Sequence, residues 1–404
     1  MTHVLKAGAP VYGGLVLSRN DGIIFIRGAV PGEVVEVRVD EKKRDYSVAS
    51  VTDVIEPSSF RVAPPCPYFG DCGGCQLQYI SYERQVSMKS DVLLDCLRRI
   101  GEVEAELEPP LAGRDFHYRR RAQFKVSKDG LMGFYREGTR DVVAVGECPL
   151  MVDEINRLRA AVEPRALAGV KEIHITCGDY PVALIKGRDF DEDLSALFMG
   201  YGFSGVAFQD GVYSEKGFVS LDLLGLTYTV SPWSFFQSNW ELNQSVVGLL
   251  GEGLAPLGGK RVLDLYAGAG NFSLNLASAA SAVVGVEEKP SAVKDGERNL
   301  LINKIRNYRF VGSKAETARL GGDFDVVVLD PPRPGLSREA MKRVREMAPE
   351  KVAYVSCNPA TFARDLKRLK DDYEIDSIRM IDLFPNTYHI EAMAFLTRKT
   401  GKAA

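Results

Sequence analysis

Several absences narrow this chain before any motif is read. No apolar run in its 404 residues approaches the ~18 needed to span a bilayer, and the N-terminus lacks the basic-then-apolar layout of a leader, so no membrane is expected as a partner. Positive charge is not in excess. Lys and Arg number 51 against 54 Asp and Glu, a net charge of −3, so any nucleic-acid contact must rest on a local patch. Seven cysteines, unevenly spaced, are too few for a disulfide scaffold. A cytoplasmic, reducing compartment is expected, where grouped thiols point to metal binding or catalysis. Internal repeats and low-complexity segments are lacking too. An apolar share of 45% and a charged share of 26% are ordinary for a globular protein. The length suits roughly two to three domains.

Three regions follow from patterning. In residues 1–57 the turns Gly13-Gly14, Asp21-Gly22 and Pro31-Gly32 separate Leu15-Val16-Leu17, Ile23-Ile24-Phe25-Ile26 and Val34–Val39, which predicts a small antiparallel barrel of the oligonucleotide-binding type. Arg19, Arg27, Arg38 and Lys42-Lys43-Arg44 could track a phosphate backbone, although acidic neighbours nearly cancel them. Residues 58–230 read as an α+β domain. It opens with a cysteine-rich loop and an amphipathic helix over about 82–100, whose Val92, Leu93, Cys96, Leu97 and Ile100 recur at helical spacing. Ala122–Val126 and Glu172–Thr176 read as strands in it. From 231 to 404 apolar strands at 261–266, 282–287, 324–330 and 352–355 alternate with helices at 290–301 and 337–347, the pattern of a doubly wound, Rossmann-like α/β sheet. Two last strands, 374–383 and 389–397, predict a hairpin at one edge.

Chemistry-bearing residues gather at strand ends. Asp264-Leu265-Tyr266-Ala267-Gly268-Ala269-Gly270-Asn271 follows the first strand and is expected to open a helix, with Gly268 and Gly270 letting backbone approach a ligand. Glu287 ends the second strand, where a carboxylate suits a ribose diol. Ser273 holds the place of a third glycine, which weakens the case for a dinucleotide and favours S-adenosylmethionine, a donor without a pyrophosphate. Paired prolines in Asp330-Pro331-Pro332-Arg333-Pro334-Gly335 fix an extended exit that turns Asp330 toward the cleft. Cys357 ends another buried strand in Val355-Ser356-Cys357-Asn358-Pro359, ahead of a helix; a thiol there is either a packed small hydrophobe or a nucleophile.

Cys66, Cys72 and Cys75, spaced C-x5-C-x2-C on a Gly-rich loop, suggest a metal centre, and Cys148 stands in Gly146-Glu147-Cys148-Pro149. Spacing alone leaves zinc and iron–sulfur open. Cys96 and Cys177 fall outside the pattern and are expected in the core. Arg114, Arg119, Arg120, Arg121 and Lys125, interleaved with Phe116, His117, Tyr118 and Phe124, form the densest basic–aromatic stretch, suited to single-stranded RNA.

Asp330-Pro331-Pro332-Arg333, Ser356-Cys357-Asn358-Pro359, His389-Ile390-Glu391-Ala392-Met393 and Phe235-Phe236-Gln237-Ser238-Asn239 together resemble the signature of RNA 5-methyluridine methyltransferases, especially the iron–sulfur-containing members that modify 23S ribosomal RNA. The likeness runs over essentially the whole chain. It implies an N-terminal TRAM domain, S-adenosylmethionine bound by Gln237, Tyr266, Gly268, Gly270, Asn271, Glu287 and Asp330, and a [4Fe–4S] cluster on Cys66, Cys72, Cys75 and Cys148. By the same resemblance Cys357 is the nucleophile that adds to C6 of uracil and Glu391 the base that takes the C5 proton. Asp330 would bind the pyrimidine or align the donor. A monomer acting on 23S rRNA is expected, with transfer RNA uridine 54 as the alternative substrate. Cytosine-C5 methylation and an RNA-binding iron–sulfur protein without catalysis are the competing readings. The chain departs from the family at Val311-Gly312-Ser313-Lys314, where no adenine contact is assigned.

Overall fold

Runs such as Val326-Val327-Val328-Leu329 carry no polar alternation, so they form strands only where both faces are covered. The computed structural model, which describes residues 2–400 apart from Asp21 and Glu215, places them in an eight-stranded sheet. Of the expected Asp21-Gly22 turn, Asp21 lies outside the described residues. The strands of the large sheet are β1 (Glu108–Leu111), β2 (Arg261–Leu265), β3 (Ala282–Glu287), β4 (Tyr308–Gly312), β5 (Val326–Leu329), β6 (Lys351–Ser356), β7 (Tyr373–Ile381) and β8 (Glu391–Arg398). Their order is β4-β3-β2-β5-β6-β8-β7-β1. The sheet is parallel from β4 to β6, and β8 runs antiparallel to both β6 and β7.

The helices packed on this sheet are α1 (Tyr82–Cys96), α2 (Trp240–Leu254), α3 (Pro290–Ile302), α4 (Arg338–Met347) and α5 (Pro359–Leu369). Alternate strand residues feed opposite layers. Leu263, Leu265, Val327, Leu329, Val352 and Tyr354 pack with α1, α4 and α5. Val262, Val326, Val328, Ala353 and Val355 pack with α2 and Leu300 of α3. The hairpin of Val219–Leu223 and Leu226–Val230 shares that second core. Among the described residues no helix is long and apolar enough to cross a membrane.

The terminal hairpin differs from the expected edge pair. Its second strand inserts beside β6, and β1, from the first third of the chain, covers the outer side of β7. Charged and polar residues on β7 disguise a strand paired on both sides. The turn after β2 also differs. No α-helix opens there; the chain passes through turns to a single 3₁₀ turn at Asn275–Ser278, because Ser273 is drawn inward to Asp264 and Tyr308.

The expected helix over 82–100 is present as α1 followed by a π-helical turn at Leu97–Gly101; Val92, Leu93, Cys96 and Leu97 join the core of the large sheet, whereas Ile100 is exposed. The middle region forms a second six-stranded sheet, antiparallel except for its last pair, with Cys177 in its core. Residues 2–56 form a third, in which Val16, Ile26, Val35, Val37 and Ala49 face one small core. It is antiparallel except that Ile23–Arg27 pairs in parallel with Ser47–Glu56, a strand that the turn pattern did not separate.

Candidate active site

In a parallel sheet the carboxyl ends of all strands open on one edge, and that edge is where ligands meet the chain. Tyr266, Glu287, Asp330 and Cys357 lie there, at or just past the ends of β2, β3, β5 and β6. Glu391 comes from the opposite logic. It is the first residue of β8, and an antiparallel strand brings its start to the edge where its neighbours finish. The Ser356–Ala392 register sets Glu391 beside the Cys357 turn. A cavity of about 1570 Å³ opens over these ends, lined by Cys357, Glu391, Asp330, Gln237, Tyr266, Gly268, Asn271 and Glu287. Gly270 is not in that lining; its φ of 92° closes the turn, and a Cβ there would lie 2.8 Å from Leu274.

Local ties fix each group. Glu287 accepts hydrogen bonds from the backbone N–H of Gly268 (3.0 Å) and of Lys289 (2.8 Å). Gly268 has φ 55°, and a Cβ there would meet nothing within 4 Å, so its backbone is open to the cavity. Asn271 is engaged in a reciprocal amide pair with Asn243 of α2, at 2.8 and 3.0 Å. The segment bearing Gln237 is anchored by Asp295, which accepts from the backbone N–H of Ser231 (2.9 Å) and the hydroxyls of Ser231 (2.9 Å) and Ser234 (2.6 Å). The Asp330–Gly335 exit is docked on α5. Asn358 caps that helix and, with Thr361, donates to the carbonyl of Arg333, at 3.3 and 3.1 Å. Gly335 has φ 75° and lies so near Asp365 that a Cβ would come within 2.5 Å of its carboxylate.

The electrostatics follow from burial of like charges. Burial pushes the Cys357 thiol up to about 12, Glu391 and Asp330 push the same way, and Arg333 opposes them. Burial raises Asp330 to about 7. Glu391 is held well above the usual carboxylate range, by burial first and then by Asp330, with Arg333 again opposing. Three acidic groups thus share one desolvated space and favour their protonated forms. Burial, with Arg333 adding, depresses His389 to about 4, so its neutral ring can accept from the Arg333 guanidinium 3.3 Å away.

The sequence reading assigned no role to Arg333 or His389, although both stand in quoted motifs, and it did not single out Phe384, Arg364 or Arg368 on the cavity wall. Phe235, also in a quoted motif, lines the mouth with 66% of its surface exposed. Asp264, by contrast, is turned away from the ligand side. Its carboxyl, raised by burial to about 8, binds the Ser273 hydroxyl at 2.5 Å.

The basic–aromatic stretch is largely structural. Arg121 donates to the carbonyls of Ser234 and Pro232, Lys125 pairs with Glu172, Phe124 and Tyr118 are buried, and His117 meets Asp153. Arg119 is the member that reaches the cavity, with its guanidinium 5.8 Å from the Phe384 ring centre. In the N-terminal sheet Arg27, Arg38 and Lys43 pair with Glu137, Asp40 and Glu41.

Among the described residues no three ligand-type side chains stand ready to hold a metal ion. Cys66, Cys72, Cys75 and Cys148 are nevertheless neighbours. Burial pushes Cys75 up to about 12, with Cys148 and Cys72 adding to the effect. Burial likewise pushes Cys148 up to about 11, with Cys66 and Cys72 adding and Arg119 opposing.

Residues 219–399 match the tRNA (Uracil-5-)-methyltransferase family. The chain is 36% identical over 417 residues to an uncharacterized RNA methyltransferase of Aquifex aeolicus, covering 96% of this chain and 97% of that one. It is 34% identical over 418 residues to the 23S rRNA (uracil(1939)-C(5))-methyltransferase RlmD of Photorhabdus laumondii, covering 95% and 94%. Among solved structures, the tRNA (uracil-54, C5)-methyltransferase of Pyrococcus abyssi in complex with S-adenosyl-L-homocysteine is similar with a TM-score of 0.77 and 26% identity, covering 97% of this chain and 99% of that one.

A thiol raised to about 12 should alkylate faster with every rise in pH. Iodoacetamide labelling of Cys357, followed on its own peptide by mass spectrometry, should accelerate about tenfold per unit between about pH 7 and 9. Arg333→Met should slow it at each pH, and a plateau below pH 9 would contradict the assigned environment.

Proposed function

We propose, for a chain that belongs to the RNA (uracil-5-)-methyltransferase family, that it methylates C5 of a uridine in 23S rRNA through a covalent Cys357–C6 adduct. The observation that carries this reading is the reversal of β8, which sets a buried carboxyl, Glu391, beside a thiol, Cys357, in the cavity that also holds Asp330. The residues present suit S-adenosylmethionine. The Gly268 backbone is open, and Glu287 is fixed beside it, where a carboxylate suits a ribose diol. When bound, that donor supplies an electrophilic methyl group and departs as a neutral thioether.

The chain's own residues perform the rest. Cys357 Sγ, as thiolate, bonds to C6, and the displaced electron pair moves to O4 as an enolate. C5, now nucleophilic, takes the methyl group as the sulfur–methyl bond breaks. Glu391, as carboxylate, removes the C5 proton; the electrons restore the C5–C6 double bond and expel the Cys357 thiolate. Asp330, with its carboxyl raised to about 7, can donate to a carbonyl of the pyrimidine as readily as it can accept from its N–H. Gln237, Tyr266, Gly268, Gly270, Asn271 and Glu287 make up the donor side, Gly270 and Asn271 acting through the shape of the turn. The target uridine must leave its stack to reach Cys357, at about a few kcal/mol.

Two further assignments belong to this reading. Identity of 34% to the RlmD relative, against 26% to the tRNA (uracil-54, C5)-methyltransferase, favours 23S rRNA over transfer RNA as substrate. Cys66, Cys72, Cys75 and Cys148, a soft all-thiol set, would hold a [4Fe–4S] group. Uracil methylation moves no net electrons, so such a group would brace the loop or position RNA. The N-terminal sheet then serves as a TRAM-type RNA-binding unit.

Replacing Cys357 with Ala should abolish formation of 5-methyluridine, read by nucleoside mass spectrometry; retained product would sink the mechanism. A strain lacking the gene should lose the modification from 23S rRNA and keep it in transfer RNA, and the reverse pattern would reject the substrate assignment. Anaerobically purified protein should be coloured and carry about four irons per chain; a colourless protein with stoichiometric zinc would reject the iron–sulfur assignment.

A further inference from the structure

Glu391 is reached through a loop, Asp382–Ile390, whose Leu383 and Ile390 enter the cores on either side of the large sheet and whose polar groups are held largely by distant parts of the chain. Lys89 of α1 donates to Asp382 at 2.7 Å and to the carbonyl of Phe384 at 3.0 Å, with both side chains of this ion pair buried. One turn earlier on α1, Gln85 faces Asn386 in a reciprocal pair. Its amide donates to the Asn386 side chain at 3.0 Å, and its carbonyl accepts the Asn386 backbone N–H at 2.9 Å. The same Gln85 amide donates to the carbonyls of Leu77 (3.2 Å) and Ile80 (2.9 Å), which stitches the end of the cysteine loop to the helix.

That loop reciprocates. The backbone N–H groups of Gln76 and Leu77, directly after Cys75, both donate to the Asn386 carbonyl, at 3.0 and 3.1 Å. The Asn386 amide donates to the carbonyl of Asp115 at 2.7 Å, and the Tyr118 hydroxyl to that of Pro385 at 3.0 Å. Asn386 has φ 64°, the left-handed conformation that Asn tolerates better than most side chains, and it is buried.

We propose that α1 and the cysteine loop clamp Asp382–Ile390 as a rigid mount for Glu391, with Gln85 and Asn386 as positioning residues for removal of the C5 proton. The proposal rests on the reading of Glu391 as the base. It separates two halves of the reaction: adduct formation depends on Cys357, which α5 and the Asp330–Gly335 exit hold, whereas release depends on the aim of Glu391. Loosening the clamp must therefore slow release more than attack, and the covalent protein–RNA complex must accumulate.

Asn386→Gly is the direct test, because glycine keeps the positive φ and the backbone bonds and removes only the side-chain ties. In single turnovers with an RNA carrying the target uridine, this variant should form the denaturation-resistant complex at close to the wild-type rate. It should release 5-methyluridine about tenfold or more slowly, as expected for a misaimed group. Binding of S-adenosylmethionine should be unchanged, and Asn386→Asp, which keeps the oxygen that accepts from Gln85, should fall between. Release at the wild-type rate, or equal slowing of attack and release without accumulation, overturns the proposal. Should Asn386→Gly fail to fold, Gln85→Met with the same readouts decides; failure of both to fold makes the clamp a folding element and also overturns it. If wild-type protein itself forms neither complex nor 5-methyluridine, the functional reading has failed, an outcome distinct from the others.

Discussion

Everything at this site depends on acidic groups being desolvated together. Cys357, Asp330 and Glu391 share one cavity, each is raised by burial, and Arg333 is the cation that opposes the rise at both Cys357 and Glu391. A further cation held in this space would favour ionisation of the thiol in the same direction as Arg333 does. Glu391 is harder to ionise while Asp330 is charged beside it.

The fold supplies this proximity by combining two strand directions. Parallel strands bring Tyr266, Glu287, Asp330 and Cys357 to one edge, but they cannot place a fifth group directly beside Cys357 without another long crossover. The antiparallel β8 does so with its first residue. The arrangement costs a buried loop ahead of β8, and the Lys89–Asp382 pair is part of that cost. Taking both charges out of water consumes most of what their attraction returns, so the pair specifies where the loop docks more than it stabilises the protein. Burial depresses the Lys89 ammonium despite its partner, which shows how dry the contact is.

Much of this was legible in the sequence, and the gaps have physical reasons. Unbroken apolar runs located β2, β3, β5 and β6, and helical spacing located α1 and its buried face. Short motifs singled out Cys357 and Glu391, which line one cavity, and Cys96 and Cys177 were rightly placed in the core. Contacts between residues far apart left no local pattern: Gln85 and Asn386 are 301 positions apart, and nothing near either one announces the other. Arg121 and Lys125 looked like RNA contacts because a cation bound to another segment of the chain has the same local sequence as one awaiting phosphate. Ser273 was read for the glycine it replaced, whereas its hydroxyl serves Asp264 and Tyr308 and so bends the turn away from a helix.

The proposed bond between Cys357 Sγ and C6 of uracil can be trapped with RNA carrying 5-fluorouridine at the target position. Fluorine at C5 cannot leave as a proton does, so the methylated adduct has no path to release. Digestion and tandem mass spectrometry of the complex should find the fluorinated, methylated uridine on the peptide containing Cys357. Attachment through any other residue, or no complex from protein that still methylates ordinary RNA, would contradict the account.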